Sequence, residues 1–252
     1  MTSKILVAGG TGVVGSFVVQ HARLHGYEVV VASRSSGIDL TTGNGLATLV
    51  EGCDMVIDVT SSTSVRKRLA TEFFTSVTRN LLVACATANV RHFVSLSIVG
   101  IDKVPFYGYY QAKLAQEALV HASLVPSSIV RATQFHEFAG QIISRSRLGP
   151  SAVVPKMLVQ SIAASSVAEK LIDVAKGAVL DCTLNIAGPD TALLSDQARQ
   201  LVKHHGSSLT IVPLPVPGRL GQAVRAGALL ATSSTEILGP SFAGWLGSSS
   251  AP

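Results

Sequence analysis

Gly9-Gly10-Thr11-Gly12-Val13-Val14-Gly15 follows directly on Lys4-Ile5-Leu6-Val7-Ala8, and the junction of these two stretches decides the fold. The apolar run reads as a buried strand, and apolar residues at three- and four-residue spacing over 13–25 read as a helix. Between them the glycines satisfy G-x-G-x-x-G and also fall at every third position. In a strand-turn-helix context such glycines permit a tight turn, close backbone approach to a pyrophosphate and packing of the helix on the sheet. The helix start offers free N–H groups and a positive dipole end to phosphate. Gly9, Thr11, Gly12, Val13, Val14 and Gly15 are therefore the expected dinucleotide-binding residues.

Outward from this turn, near-continuous apolar runs at 28–33, 54–60, 92–97 and 127–131 alternate with helical periodicity at 46–51, 72–89 and 109–122. Strands that are apolar on both faces belong to a parallel sheet covered on both sides, so the expected class is α/β, a Rossmann-type doubly wound parallel sheet. After residue 131 the regularity weakens, with strands at 151–155 and 209–212 and helices at 167–175 and 194–205. The expected division is a dinucleotide-binding Rossmann core over 1–131 and a small substrate lobe over 132–252, integrated with it. Residues 213–217, with three prolines, read as an extended connector, and 247–252 as a fraying tail.

A chain of 252 residues, 47% of them hydrophobic, can bury one sizeable core and a modest appendage but not two full domains. Cys53, Cys85 and Cys182 are too scattered for a disulfide framework or a metal site and read as small buried hydrophobes. His204 and His205 are adjacent, so their side chains diverge, and no metal is expected. No apolar run approaches the roughly 18 residues of a membrane span, and the first strand begins without a leader, so a cytoplasmic chain without membrane contact is expected. The net charge of +5 is spread out, with Arg66-Lys67-Arg68 its densest cluster. That reads as a solvated helix start or a field drawing an anionic cofactor, not a nucleic-acid surface.

Where an NAD site usually carries an acidic residue, at the end of the second strand, this chain has Ser33-Arg34. A guanidinium can fork onto a 2′-phosphate that a carboxylate would repel, so NADP(H) is the expected cofactor. The bland alternative is a surface arginine beginning a loop, with Asp39 near the adenine edge. Thr60, Ser61 and Ser62 end the next long strand and either line the ribose path or cap the following helix.

Ser95 and Ser97 alternate onto one face of their strand. Tyr109 and Lys113 stand four apart on one helix face. A nearby ammonium favours the phenolate, so Tyr109 can exchange a proton near neutrality, with Ser97, or in the alternative Ser95, holding the substrate oxygen and Lys113 the nicotinamide ribose. Alone, such a pair is a solvated helix face; joined to the glycine turn and the strand-end serine it reads as a catalytic site.

Together the Gly9–Gly15 turn, Ser97 and Tyr109-x-x-x-Lys113 resemble an extended or atypical short-chain dehydrogenase/reductase, most of all the NmrA-like subgroup. Thr78-Arg79-Asn80-Leu81-Leu82, Val94 to Gly100, Arg131 to Phe135 and Phe242 to Leu246 extend the likeness over nearly the whole chain. The resemblance implies a parallel sheet of about seven strands, NADP(H), and a small carboxyl-terminal lobe. It further implies Thr133 and Phe135 near the nicotinamide and Asn80 supporting a proton relay. NmrA-like redox sensors bind NADP(H) but lack the tyrosine and lysine, both of which this chain keeps; a sensor is the alternative to an enzyme. Nucleotide-sugar epimerases fit less well, their lobes being usually larger. Phe106, Tyr107, Tyr110, Phe135, Phe138 and Met157 are either core or an apolar pocket, which would suit a lipophilic carbonyl, enone or imine. His136 is either a substrate ligand or a satisfied structural group. Monomer and homodimer are both open.

Overall fold

The structure, a computed structural model, describes residues 3–180 and 182–248; the tail expected over 247–252 therefore lies mostly outside the described residues. In chain order the elements are β1 (Lys4–Ala8), α1 (Val13–Leu24), β2 (Glu28–Ala32), α2 (Leu46–Val50), β3 (Met55–Asp58), α3 (Lys67–Thr87), β4 (His92–Ile98), α4 (Gly108–His121) and β5 (Ser127–Ala132). Then follow α5 (Phe138–Ser146), β6 (Arg147–Leu148), β7 (Ser151–Pro155), β8 (Leu158–Val159), α6 (Ala164–Lys176), β9 (Leu184–Ala187) and β10 (Ala192–Leu193). The chain continues through α7 (Leu194–His204), β11 (Thr210–Leu214), α8 (Gly218–Arg225), β12 (Glu236–Ile237) and α9 (Phe242–Leu246).

Seven strands form the central sheet in the order β12-β9-β5-β4-β3-β1-β2. β1 pairs parallel with both β2 and β3, and β3 with β4. The chain steps one way from β1 to β2 and the other way through β3 to β5. That reversal makes a crevice at the carboxyl ends of β1 and β3, the place where open α/β sheets receive ligands. The glycine turn leaves β1 there.

One compact unit holds the described residues up to Ser97 with Pro105–Arg131 and Val167–Leu184; the other holds Ile98–Val104, Ala132–Ser166 and the described residues from Asn185 onward. In the first, Leu6, Val56 and Phe93 of the sheet pack with Val77, Leu81 and Cys85 of α3. The return segment over 167–184 is bound in by His92, whose Nδ1 lies 3.2 Å from the Ala175 carbonyl and Nε2 2.7 Å from Ser128 Oγ. Leu180 N–H donates to the same serine at 3.0 Å.

In the second unit, β7 pairs parallel with β11 and antiparallel with β6. His136 fills its interior: 1% exposed, with Nδ1 2.8 Å from Ser161 Oγ and Nε2 3.2 Å from the Pro240 carbonyl. Its ring stands 5.3 Å from those of Phe242 and Trp245. Burial holds its pKa below the usual imidazole value. Of its two readings, the satisfied structural group fits these contacts.

Several sequence expectations are corrected. β3 stops at Asp58 rather than Thr60, because the Thr60 N–H turns back to the Asp58 carboxylate at 2.9 Å. α3 begins at Lys67, five residues before the apolar pattern starts, its first turn carried by exposed basic residues. The proline stretch continues β11 as far as Leu214 and then leads into α8, which no periodicity announces. Cys182 is exposed, unlike buried Cys53 and Cys85, because it lies in the link between α6 and β9 rather than in either element. Among the described residues no helix is long and apolar enough to cross a membrane.

Candidate active site

The backbone of the glycine turn is set by close packing. Gly9 takes φ +82°, and a Cβ there would stand 3.0 Å from the Val59 carbonyl oxygen and 3.1 Å from Thr60 Cα. A Cβ on Gly15 would fall 2.1 Å from the Gly9 carbonyl oxygen, so that position admits glycine alone. Gly12 differs: an added Cβ would meet only that oxygen, at 3.3 Å. Gly12 is also the N-cap of α1, with no side-chain cap and no acidic residue in the first turn. The first intrahelical bond runs from Ser16 N–H to the Gly12 carbonyl, so the N–H groups of Val13, Val14 and Gly15 have no partner within the helix. Val14 and Gly15 are buried and Val13 is 39% exposed. Unpaired amides, an uncapped dipole and no competing carboxylate fit a dinucleotide pyrophosphate.

Beside this turn, Gly9 N–H donates to the Ala32 carbonyl at 2.8 Å, which brings the end of β2 alongside. Ser33 is buried and caps a short turn over Arg34–Ser36, accepting from Ser36 N–H. Ser35 Oγ donates to exposed Thr11 Oγ1 at 3.0 Å, joining the two loops, and Arg34 stands exposed. Asp39 is a turn residue: its carboxyl accepts from Thr41 Oγ1 at 2.6 Å and Thr41 N–H at 2.9 Å. Those bonds, and more weakly the charge of Arg34, hold it below the usual carboxylate range. Asn80, expected by resemblance to support a relay, ties down a loop with its side-chain amide. Its Nδ2 donates to the carbonyls of Leu40 and Thr41, both at 3.0 Å, so its amide hydrogens are committed to pinning that loop.

Deeper in the first unit, α3 and α4 pack through Ala70, Phe74 and Ala112, and the ring of Tyr109 stands edge-on to Phe74 at 5.6 Å. Tyr109 Oη lies 3.2 Å from Ser61 Oγ. Thr60 instead bonds Asp58, and Ser62 Oγ turns to its own loop at Ser64, so of the three loop hydroxyls only Ser61 meets the tyrosine. Lys113 is 4% exposed. Its Nζ donates to the Leu96 carbonyl at 2.7 Å and to Gln116 Oε1, and lies 4.7 Å from the Phe74 ring centroid. Burial pulls its pKa down to about 8, against the opposing pull of Asp58 and Glu117. Glu117 is itself matched by Arg131, which forks onto both carboxylate oxygens at 2.8 and 2.6 Å.

Ser95 and Ser97 are both buried, and neither hydroxyl has a hydrogen-bond partner among the described residues. Ser95 lies level with Asp58 in the sheet register, while Ser97 is two residues nearer the carboxyl end and adjoins Leu96, whose carbonyl holds Lys113. In the second unit Thr133 Oγ1 donates to the Gln160 carbonyl at 2.5 Å, and Phe135 forms an isolated bridge to Ile162. Phe106, Tyr107 and Tyr110 belong to the first unit and Phe135, Phe138 and Met157 to the second; Tyr107 and Tyr110 stack edge to face at 4.8 Å.

Two residues of this cluster escape a motif reading. Asp58 is 1% exposed and ends a run, Met55-Val56-Ile57, that is otherwise apolar. Gln116, also 1% exposed, follows Lys113 by three positions on one helix face. A charge closing a buried strand and a polar side chain beside a lysine were the available signals.

A family model described as NAD(P)H-binding matches residues 36–177, more than half of the chain though not the glycine turn itself. A curated relative, the chloroplastic divinyl chlorophyllide a 8-vinyl-reductase of Arabidopsis thaliana, is 29% identical over 169 residues, 54% of this chain and 40% of its own length. The chain thus spans less than half of that relative. Among solved structures, MoeE5 in complex with UDP-glucose and NAD superposes with a TM-score of 0.69 at 20% identity, over 94% of both chains. UDP-N-acetylglucosamine 4-epimerase from Bacillus cereus gives 0.67 at 18% identity, over 94% of this chain and 99% of its own. dTDP-4-dehydrorhamnose reductase from Bacillus anthracis in complex with NADP gives 0.67 at 16%, over 85% of both. That epimerase is matched over 99% of its own length, so a larger carboxyl-terminal lobe does not set it apart from this chain.

Proposed function

The chain belongs to the NAD(P)H-binding family and carries a seven-stranded Rossmann-type sheet, and on that premise we propose that it is an NADP(H)-dependent oxidoreductase of the atypical short-chain dehydrogenase/reductase type. Its substrate is a lipophilic small molecule with a reducible carbonyl, enone or imine; a relative named for reduction of a vinyl group accords with such a double bond. The observation that carries this reading is Lys113, a buried ammonium one helical turn behind Tyr109, with both side chains against Phe74.

When bound, NADPH supplies the hydride. Val13, Val14 and Gly15 give their backbone N–H groups to its pyrophosphate, with Gly9 and Gly12 clearing the approach and Thr11 at the rim. Ser33 shapes the turn that presents Arg34 to the 2′-phosphate. Several solved structures of this fold carry NAD and one carries NADP, so the preference rests on Ser33-Arg34 standing where an NAD site usually has its acidic residue, at the end of β2. Thr60 and Ser62 shape the loop along the ribose path, and Ser61 steadies the Tyr109 hydroxyl. Lys113 holds the ribose and, as a nearby cation, favours the phenolate of Tyr109. Tyr109 then gives its proton to the substrate atom that gains charge, an atom Ser97 positions through its hydroxyl.

Tyr109→Phe tests this by removing the transferable proton while leaving the ring on Phe74. With a carbonyl and enone panel followed by NADPH absorbance, turnover should fall at least about a hundredfold, as for loss of a general acid, while NADPH affinity by calorimetry stays within about twofold. Undiminished turnover would remove Tyr109 from the mechanism. NADPH binding without turnover of any compound would replace the enzyme with a sensor.

A further inference from the structure

An ammonium has three N–H donors and no acceptor. Lys113 commits one to the Leu96 carbonyl and one to Gln116 Oε1, leaving a single N–H. Which atom of Gln116 meets Lys113 is dictated from the amide's other end. Gln116 Nε2 donates to Asp58 Oδ2 at 2.9 Å, and a carboxylate only accepts, so the amide oxygen must turn to the lysine. The other oxygen of Asp58 accepts from Thr60 N–H at 2.9 Å and Thr60 Oγ1 at 2.7 Å. Thr60 in turn backs the glycine turn, in reach of any Cβ at Gly9. One buried chain of donors and acceptors therefore runs from the loop beneath the dinucleotide turn to the ammonium.

Its charges are placed unusually for a stabilising pair. Asp58 and Lys113 are both buried, yet one neutral amide stands between them where direct contact would bind more strongly. The ammonium is held by neutral acceptors, the Leu96 carbonyl and the amide oxygen, so it is not locked against a carboxylate and keeps a donor for a ligand.

We propose that Asp58 and Gln116 are positioning residues: Asp58 fixes the sense of the Gln116 amide, and the amide oxygen holds Lys113 with one N–H open to the nicotinamide ribose. The ligand rests on the function proposed above; the positioning of Lys113 does not. The groups around the ammonium are Asp58 at the end of β3, Glu117 on its own helix, engaged by Arg131, and Phe74 of α3, whose ring also meets that of Tyr109.

Asp58→Asn reverses the chain at constant shape. Its amide sets a donor against either Gln116 Nε2 or Thr60 N–H; if Gln116 turns to escape, its NH2 faces the ammonium. Adding Gln116→Glu restores acceptors at both contacts, since Glu accepts from the asparagine amide and from Lys113, and it also restores the net charge. The first readout is the Lys113 Cε–Hε signal in cofactor-free protein, identified by its loss in Lys113→Met and followed by NMR against pH. Its midpoint should drop in Asp58→Asn and rise above the unmodified value by about one unit or more in the double variant, where a carboxylate touches the ammonium. The second is NADPH affinity, expected to fall at least about tenfold in Asp58→Asn and to recover to within about threefold in the double variant. Should Asp58→Asn not fold, Gln116→Leu breaks the chain with Asp58 in place and should lower the midpoint likewise. An unmoved midpoint, or a double variant no different from Asp58→Asn, overturns the proposal and leaves packing alone. If the midpoints move as stated but the unmodified protein binds no NADPH, the positioning stands and the proposed function falls.

Discussion

Arg34 is exposed on a turn that Ser33 caps, one loop away from Thr11, and nothing acidic shares the end of β2 with it. NADPH should therefore bind at least about tenfold tighter than NADH, a difference of about 1.4 kcal/mol, and Arg34→Asp should invert the order. Calorimetry with both cofactors measures this, and equal affinities in the unmodified protein would count against it. The readings of Arg34, Tyr109 and Lys113 come from fixed offsets from a strand or a glycine turn, which a sequence displays directly. The pairing of Ser61 with Tyr109 and of Asp58 with Gln116 was not legible there, because the partners are 48 and 58 residues apart and only the folded sheet and helices bring them together. Asn80 shows the reverse: its place in a familiar stretch suggested a relay, while its amide is bound to a loop 40 residues upstream.

The glycine turn and α1 make two substitutions diverge. Gly12 has an extended φ of −79°, and a side chain there meets only the Gly9 carbonyl, so Gly12→Val should fold with stability within about 1 kcal/mol of the parent. The valine methyls occupy the approach to the helix amides, and NADPH affinity should fall at least about a hundredfold. Gly15→Ala drives a methyl into the Gly9 carbonyl and should cost on the order of 1–3 kcal/mol or more. Urea unfolding beside cofactor titration separates the two; a Gly12→Val protein that binds NADPH normally would reduce the motif to a turn. The strands from β1 to β5 could be read because long apolar runs between turn residues have few other uses. β9 and β12, of four and two residues, are too short to carry a pattern, and α8 begins at Gly218 directly after Pro217, where local signals favour a loop.

Over the whole molecule, acid should act through two buried imidazoles, His92 in the first unit and His136 in the second, both held below the usual value by burial. A histidine with a lowered folded pKa takes up its proton more readily when unfolded. Its contribution is thus fully present above about pH 6.5 and is lost as pH falls from there toward the folded value. Each can remove up to about 1.4 kcal/mol per pH unit in that window. Lys113 acts in the alkaline arm with the same sign: its folded value near 8 lies below the ordinary 10.5, so stability rises with pH between them. Urea midpoints at pH 5 and 7 check the acid arm, and His136→Gln should flatten the slope by at most about one proton; identical midpoints would refute it. The change of character read near residue 131 gives no sign that 98–104 group with the second unit and 167–184 with the first, since that depends on contacts such as His92 to Ala175. This interleaving gives the chain a timetable on the ribosome. At about 5–20 residues per second, the segment that completes the first unit emerges several seconds after Arg131, with most of the second unit's residues 132–166 already outside and waiting. β4 and β5 stay unpartnered by that segment for the interval, so apolar surface that the finished protein covers is exposed to aggregation on the nascent chain.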